Sequence, residues 1–334
     1  MRTDLRVLIT GATGAVGPDV VKAFHAAGYS VCTLSIDPPP LGDWCDEVQT
    51  FVGDVTDPSI VRSALEKVEA VIHLAALLHI MNPPPALQEE YERINVGGTS
   101  TVVRSAIRAG VKRVLFFSTI AVYGQSDGKI LTEDTPPQPD TFYARSKREA
   151  EKIVLEAEGA DGVQIGTVLR LGAVYGSRIK GNYQRLVQSL AKGRFIPVGN
   201  GSNRRTLVYG KDVARAAVLA MQHPNSVGRI YNVSDGKFPT LKEIISAMCE
   251  ALGQRPPRFS LPAAPIRLGA GIVEDIARLL CYDSPITRVM IDKYTEDIAV
   301  SSKRIQRELG FVPSFDLKSG WGETVREMRE SGVL

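Results

Sequence analysis

A tyrosine and a lysine four positions apart carry the clearest chemical signal in this sequence. Tyr143 and Lys147 lie in a segment whose pattern predicts a helix over 143–156. A spacing of four residues places both side chains on one helix face. A phenol with a pKa near ~10 is a poor base at neutral pH, and a cation beside it favours the phenolate. The pair predicts a base, Tyr143, assisted by Lys147; a surface pair is the plain alternative.

Hydroxyl groups at the end of a predicted strand supply a third reactive group. The strand over 113–118 runs into Ser118 and Thr119, and parallel α/β sheets place their sites at the carboxyl ends of strands. We expect Thr119 to hydrogen-bond a substrate oxygen that changes between alcohol and ketone, with Ser118 as the alternative hydroxyl. Together with Tyr143, this predicts oxidation or reduction at a carbon that bears a hydroxyl or keto group.

A glycine-rich turn follows the first predicted strand. Its sequence from Thr10 to Gly17 is Thr-Gly-Ala-Thr-Gly-Ala-Val-Gly, and a helical pattern begins at once. Glycines permit a tight turn and close approach to a pyrophosphate, and the helix start offers N–H groups and a positive dipole end. The turn therefore predicts a dinucleotide cofactor, because its position between a strand and a helix is the context that this motif requires.

Short apolar runs alternate with longer helical patterns along the first half of the chain. This alternation predicts βαβ units and hence an α/β fold with a doubly wound, parallel Rossmann sheet. The expected strands cover 6–10, 30–34, 70–75, 113–118 and 164–171, and the expected helices cover 19–27, 60–67, 91–109 and 143–156.

The regularity breaks after Gly176. We expect a dinucleotide-binding domain from 1–175 plus 206–234, with 206–221 and 229–233 returning to the sheet. The segments 176–205 plus 235–334 should form a smaller, discontinuous substrate lobe. The stretch from Leu261 to Cys281 contains four charged residues, so it is expected to be an amphipathic helix that packs on the protein rather than a membrane segment.

Composition limits the possible partners. The chain has 334 residues, 44% of them apolar, and a formal net charge of +3 with scattered basic residues, so no nucleic-acid partner is expected. Its four cysteines form no CxxC pair, and the first residues run straight into a strand pattern. We expect a cytoplasmic protein with a small-molecule substrate, no metal and no membrane partner.

These motifs together resemble the extended short-chain dehydrogenase/reductase family, in its NAD-dependent epimerase/dehydratase group. The resemblance rests on the GxxGxxG turn, on Gly53-Asp54-Val55, on His73-Leu74-Ala75-Ala76, and on the segment from Ser118 to Gly124. It implies that Thr119, Tyr143 and Lys147 are catalytic. The cofactor-binding residues that it implies, together with Tyr143 and Lys147, are Gly11, Thr13, Gly14, Ala15, Val16, Gly17, Ser35, Asp37, Asp54, Val55, Leu74, Ala75, Ala76 and Asn95.

The end of the second strand bears on the choice of cofactor. NAD-preferring relatives carry an acid there for the ribose 2′-hydroxyl, whereas this chain has Ser35, with Asp37 two positions later. A serine does not repel a 2′-phosphate, but no arginine follows it. We expect NAD because Asp37 is near, with NADP as the alternative.

The residues after Thr119 narrow the reaction. Dehydratase relatives carry acids there, whereas Ile120 and Ala121 transfer no proton, which disfavours dehydration and decarboxylation. Two enzyme classes remain: a nucleotide-sugar 4-epimerase of the UDP-hexose type, and a keto-reductase or alcohol dehydrogenase on a sugar nucleotide, steroid-like or other small carbonyl substrate. A non-catalytic cofactor sensor is the third possibility, and the Tyr143–Lys147 pair argues against it.

Substrate contacts are expected from Ser118, Thr119, Tyr143, Ala173 and Arg205. The guanidinium of Arg205 would suit a diphosphate. Ala173 stands where sugar-nucleotide relatives usually place an asparagine, which weakens the nucleotide-sugar assignment. The resemblance also implies a homodimer through the helices over 91–109 and 143–156.

Overall fold

A seven-stranded parallel sheet forms the centre of the molecule, as the computed structural model shows for residues 5–40, 44, 48–78, 80, 84, 86–280, 282, 284 and 287–334. Its order is β3-β2-β1-β4-β5-β6-β9, and every neighbouring pair is parallel. The predicted α/β Rossmann fold is therefore confirmed. The strands are β1 Arg6–Thr10, β2 Ser30–Ser35, β3 Gln49–Val52, β4 Ala70–His73, β5 Arg113–Thr119, β6 Gly166–Leu171, β7 Ala173–Tyr175, β8 Leu207–Tyr209 and β9 Ile230–Val233.

Helices follow most strands, within a few residues of their predicted bounds. The helix predicted over 91–109 has a π-helical turn, Glu92–Gly98, between two α-helical parts. The α-helices are α1 Gly17–Ala26, α2 Pro58–Ala64, α3 Leu87–Tyr91, α4 Thr99–Arg108, α5 Phe142–Leu155, α6 Asn182–Ala191, α7 Gly210–Gln222, α8 Leu241–Leu252, α9 Ala263–Leu279, α10 Arg288–Thr295, α11 Lys303–Leu309 and α12 Leu317–Glu330.

Both faces of the sheet are buried, which explains the continuous apolar runs of its strands. In β1, Val7 and Ile9 belong to the apolar cluster on the side of α1 and α7, whereas Leu8 belongs to the cluster on the side of α2, α4 and α5. Successive side chains of a strand point to opposite faces, so one strand contributes to both layers. The carboxyl ends of the strands are thereby held at one edge.

The strand order reverses at β1, whose neighbours are β2 and β4. Ligands of open α/β sheets bind at such a switch point. Here His73, which is fully buried, ties the end of β1 to α4: its Nδ1 lies 2.6 Å from Thr10 Oγ1, and its Nε2 lies 3.0 Å from Thr99 Oγ1. Thr99 donates to the Asn95 carbonyl and can therefore accept from Nε2–H, which in the neutral ring leaves Nδ1 to accept from the Thr10 hydroxyl.

The return to the sheet after Thr206 differs from the prediction. β9 joins β6 as expected, but β8 pairs with β7 in a separate two-stranded sheet. The chain leaves the main sheet at Gly172, where an added Cβ would lie 3.0 Å from the Thr206 carbonyl oxygen. The small sheet packs on α8 and α12 in a third apolar cluster, in which Trp321 stacks on Tyr175 at 4.5 Å. The division into two lobes stays a prediction.

The stretch predicted as an amphipathic helix forms α9, but it packs differently from the expectation. Only three of its residues are buried, namely Ala270, Gly271 and Ala277, whereas its large apolar side chains are exposed. Within the described residues, no helix is long and apolar enough to span a bilayer.

The buried His73 should make stability depend on acid. Burial, with a smaller contribution from the Lys147 charge, lowers the pKa of His73 to about 3, against about 6.5 in an unfolded chain. The unfolded state therefore binds the extra proton first as the pH falls. We expect the free energy of unfolding, measured with urea, to decrease from pH 6.5 toward 3 more steeply than in His73→Gln, which does not titrate.

The matched control is His223→Gln, because His223 is partly exposed. That variant should retain the pH dependence of the unmodified protein. If His73→Gln and the unmodified protein gave parallel curves, His73 would not be the group responsible.

Candidate active site

A cavity of about 680 Å³ opens at the carboxyl ends of β1, β2, β4 and β5. It connects the glycine turn to Tyr143 and Lys147, and all predicted site residues except Asn95 and Arg205 line it. These lining residues are Gly11, Thr13, Gly14, Ala15, Val16, Gly17, Ser35, Asp37, Asp54, Val55, Leu74, Ala75, Ala76, Ser118, Thr119, Tyr143, Lys147 and Ala173.

The glycine turn has room for backbone only. Gly11 has a φ of +70°, and an added Cβ would lie 2.6 Å from the Ala75 nitrogen. At Gly17, the first residue of α1, an added Cβ would lie 2.1 Å from the Ala12 oxygen. The turn thus sits tightly against β4 and brings the start of α1 to the cavity. Backbone N–H groups at a helix start suit a pyrophosphate, so these residues fit a dinucleotide.

The wall beside β2 contains the residues predicted to select the cofactor. Ser35 is buried, and its Oγ accepts a hydrogen bond from the Thr13 N–H at 3.2 Å. Its hydroxyl therefore supports the glycine turn, whereas Asp37 is exposed at the cavity wall. A carboxylate there can accept a hydrogen bond from a ribose hydroxyl and repels a 2′-phosphate.

Asp54, also in the wall, accepts a hydrogen bond from the Thr56 N–H at 2.9 Å. It forms an ion pair with Arg93 at 3.3 Å, and Arg93 lines the cavity too. The sequence analysis missed Arg93. No pattern in the sequence links it to Asp54, because the two residues are 39 positions apart and meet only when the turn of 92–98 lies beside β3.

Asn95 has a different place from the one predicted. Its Oδ1 accepts from the Leu77 N–H at 2.7 Å, and its Nδ2 donates to the Leu77 carbonyl at 3.1 Å and to Ser146 Oγ at 2.9 Å. The whole amide is thus used by protein groups, and Asn95 does not line the cavity. Its contact with the cofactor therefore stays a prediction. Asn95 holds Leu77, which does line the cavity, against α5.

Tyr143 lies beside Thr119 and Tyr91. The ring centroids of Tyr143 and Tyr91 are 6.2 Å apart. Burial raises the pKa of Tyr143 to about 12, with a further rise from Tyr91 and an opposing hydrogen bond from Thr119. The phenol is therefore protonated at neutral pH in this state, ready to donate a proton to a carbonyl oxygen.

Lys147 is almost completely buried, one turn after Tyr143. Its Nζ lies 4.0 Å from the Phe116 ring centroid. Burial lowers the pKa of Lys147 to about 7, opposed by the charge of Glu151. The expectation that Lys147 holds the pKa of Tyr143 down is not met here, because removal from water disfavours the charged forms of both groups.

Glu151 is the main residue of the site region that the sequence analysis missed. It is fully buried and accepts from Arg170 Nε at 2.8 Å, from Arg170 Nη2 at 2.7 Å and from Ser118 Oγ at 2.6 Å. The Ser118 hydroxyl donates to Glu151, so only its lone pairs could meet a substrate, and its role as a substrate hydroxyl stays a prediction; Thr119 is the hydroxyl that is hydrogen-bonded to Tyr143. The i, i+4, i+8 spacing of Tyr143, Lys147 and Glu151 could have indicated from the sequence that Glu151 shares their helix face.

Arg205 does not reach the cavity lining. Its Nη2 donates to the carbonyl oxygens of Lys293 and Tyr294, each at 2.8 Å. The last carbonyls of a helix lack intrahelical partners and carry partial negative charge, and the end of α10 therefore holds this guanidinium. The binding of a diphosphate by Arg205 stays a prediction that this conformation does not support, whereas Ala173 lies in the cavity wall.

Comparison with known proteins places this arrangement in a family. The sequence model of the "NAD dependent epimerase/dehydratase family" matches residues 7–234. The chain belongs to this family. The match covers the glycine turn, the whole seven-stranded sheet and the Tyr143–Lys147 pair. The predicted membership is confirmed, and so are the predictions of an enzyme and of NAD as cofactor.

Relatives within the family carry out different reactions. The UDP-glucose 4-epimerase of Vibrio cholerae is 27% identical over 96% of this chain and 94% of its own length. A 3β-hydroxysteroid dehydrogenase/Δ5→4-isomerase of Mycobacterium tuberculosis is 26% identical over 93% of this chain and 86% of its own. Among solved structures, MoeE5 in complex with UDP-glucose and NAD is 26% identical, with a TM-score of 0.77 over 98% of this chain and 99% of its own.

Asp37 should decide between the two dinucleotides. In Asp37→Asn the carboxylate that faces the cavity loses its charge, so repulsion of a 2′-phosphate disappears and the acceptor for a ribose hydroxyl weakens. We expect calorimetry to give NAD binding about tenfold weaker and NADP binding unchanged or tighter, since a charged hydrogen bond contributes about 1.5–3 kcal/mol.

The charge-matched control is Glu66→Gln, because Glu66 is an exposed acid outside the cavity lining. It should leave both affinities unchanged. If the Asp37→Asn protein kept the original preference between NAD and NADP, Asp37 would not be the residue that selects the cofactor.

Proposed function

We propose that this protein is a nucleotide-sugar 4-epimerase of the UDP-hexose type. One observation carries the proposal: a single cavity joins a dinucleotide turn to Thr119, Tyr143 and Lys147. The two residues that follow Thr119 in the sequence are not acidic. Epimerisation at C4 needs a hydroxyl carbon to become a ketone and then a hydroxyl again. One proton carrier serves both steps, and this chain offers one, Tyr143.

The residues divide the work as follows. In its phenolate form, which the positive charge of a bound oxidised nicotinamide would favour, Tyr143 takes the proton of the substrate hydroxyl and returns it when the ketone is reduced. Thr119 orients the same oxygen through its hydroxyl. Bound NAD would supply the hydride acceptor and donor. The glycine turn would hold its pyrophosphate, Asp37 its ribose, and Lys147 the part nearest Tyr143.

The residues after Thr119 separate this reaction from elimination. Loss of water from a sugar needs a second acid or base next to the reacting carbons. Ile120 and Ala121 form the start of a 3₁₀ turn that Thr119 caps by accepting from the Ala121 N–H at 3.2 Å. Neither side chain can carry a proton, so the ketone formed at C4 has no partner for elimination there.

Loss of the phenol should abolish turnover without disturbing cofactor binding. Tyr143→Phe removes the proton carrier but keeps the ring that packs against Tyr91. We expect kcat to fall by about 10²–10⁴-fold, which is the usual contribution of a general acid or base, while NAD affinity measured by calorimetry stays almost unchanged.

Tyr29→Phe is the matched control, because Tyr29 is a buried tyrosine that packs against Phe24 outside the cavity. It should retain the original kcat. Turnover near the original value in Tyr143→Phe would overturn the assigned mechanism.

A second function is favoured by two specific observations. Arg205 is bound to the end of α10, and Ala173 offers no amide at the cavity wall, so two expected contacts to a nucleotide sugar are missing. Relatives of similar identity include a hydroxysteroid dehydrogenase. A net reduction or oxidation of a sugar nucleotide, a steroid-like molecule or another small carbonyl substrate is therefore the alternative.

One incubation separates the two functions. The purified protein is given UDP-, dTDP- and GDP-hexoses, with and without added NAD(H) or NADP(H), while sugar products and reduced-nicotinamide absorbance are followed. Interconversion of 4-epimers without net change of cofactor supports the epimerase. Stoichiometric use of cofactor identifies a reductase or dehydrogenase, and inactivity on every sugar rejects the nucleotide-sugar proposal.

We also propose a homodimer and a cytoplasmic location, as the family resemblance and composition suggest. The segments expected to form the dimer contact, 91–109 and 143–156, are described in full and expose no large apolar side chain. The contact would therefore be polar, through exposed residues such as Arg104 and Arg145. Light scattering on the purified protein tests the dimer.

A further inference from the structure

α9 presents most of its large apolar side chains to solvent, whereas its buried residues are the small Ala270, Gly271 and Ala277. Nineteen large apolar side chains of the described residues are exposed, and ten of them lie between Phe259 and Val289. Leu268 and Leu279 are 69% and 83% exposed. Helices of soluble proteins normally bury such residues, and exposed apolar patches of this kind mark binding surfaces.

Helical periodicity collects these side chains on one face. At 3.6 residues per turn, the exposed apolar residues span an arc of roughly 140°, with the buried Ala270 and Ala277 outside it. We name this arc the apolar face of α9. Its members are Leu268, Ile272, Val273, Ile276, Leu279 and Leu280.

The opposite side of α9 is fixed to α10 by charges. Arg267 forms an ion pair with Asp292 at 2.6 Å, and Arg288 pairs with Asp275 at 2.6 Å and with Glu274 at 3.3 Å. These contacts join the charged side of α9 to α10, and the apolar face points away from α10.

Basic residues accompany the apolar face. The segment 254–282 contains four arginines and two acids, and both acids, Glu274 and Asp275, are engaged by Arg288. Arg255 and Arg258 are exposed next to Phe259, which is itself 84% exposed. Leucine, isoleucine and phenylalanine side chains together with arginines are typical of helices that lie in a membrane interface, and arginines attract anionic lipids.

We propose that the apolar face of α9 lies on an anionic lipid bilayer, with α9 parallel to its surface. The observations favour an anionic bilayer over a second copy of the chain, because the exposed Arg255 and Arg258 add positive charge next to Phe259, whereas the acids of α9 are engaged by Arg288. This proposal departs from the expectation of no membrane partner. It concerns a surface outside the cavity and does not depend on the reaction.

The position of α9 connects this surface to the site. α10, on which α9 packs, bears Lys293, which forms an ion pair with Asp140 at 3.0 Å. Asp140 lies three residues before Tyr143. A bilayer bound to α9 would therefore lie one helix away from the segment that leads to the catalytic tyrosine.

Vesicle sedimentation of the full chain tests the proposal. The probes are vesicles of phosphatidylcholine alone and of phosphatidylcholine with phosphatidylglycerol. We expect the protein to sediment with the anionic vesicles. The triple variant Leu268→Ser/Ile272→Ser/Leu279→Ser should bind them at least about tenfold more weakly, because three apolar side chains are no longer transferred from water into the bilayer. Arg255→Gln/Arg258→Gln should weaken binding to the anionic vesicles.

The matched control is Val163→Ser/Val312→Ser, which changes side chains that are 58% and 69% exposed elsewhere. It should bind as the unmodified protein does. NAD affinity measured on each variant shows that the fold is retained. No sedimentation with either vesicle, equal binding by the triple variant, or a lipid-free dimer that the triple variant dissociates would each overturn the proposal, the last in favour of a second copy.

Discussion

The close approach of two backbones at the switch point is the constraint on which the site depends. The turn after β1 lies so near the residues after β4 that an added Cβ at Gly11 would meet the Ala75 nitrogen at 2.6 Å. Behind this contact, His73 joins Thr10 and Thr99. A side chain at Gly11 would push the turn out of the cavity and separate the start of α1 from β4. The same contact therefore positions the cofactor turn and one wall of the cavity.

Burial governs the electrostatics around this contact. Tyr143 and Lys147 share a helix face, and removal from water raises the pKa of the phenol to about 12 and lowers that of the lysine to about 7. Next to them, Glu151 forms a fully buried and doubly hydrogen-bonded ion pair with Arg170 and a second ion pair with Arg148 at 3.0 Å. A buried pair of this kind is costly to break. It holds α5 against β6, and thereby sets the position of both reactive side chains.

The second half of the chain follows different packing rules. β8 leaves the main sheet to pair with β7, and Arg205 binds the end of α10 rather than the cavity. α9 turns its large apolar residues outward. Each of these features is set by tertiary packing, because no repeating period of strands and helices runs through these segments.

Local sequence determined much of this protein. The alternation of apolar runs, the glycine spacing before α1 and the four-residue spacing of Tyr143 and Lys147 are properties of neighbouring residues, and they predicted the sheet, the cofactor turn and the position of the reactive pair. Only the tertiary structure decided which partners the polar side chains take. Ser118 donates to Glu151, and Asn95 holds Leu77, although their sequence positions suited substrate and cofactor. The physical reason is that a buried polar group must find a hydrogen bond wherever the fold supplies one, and residues distant in sequence supply it.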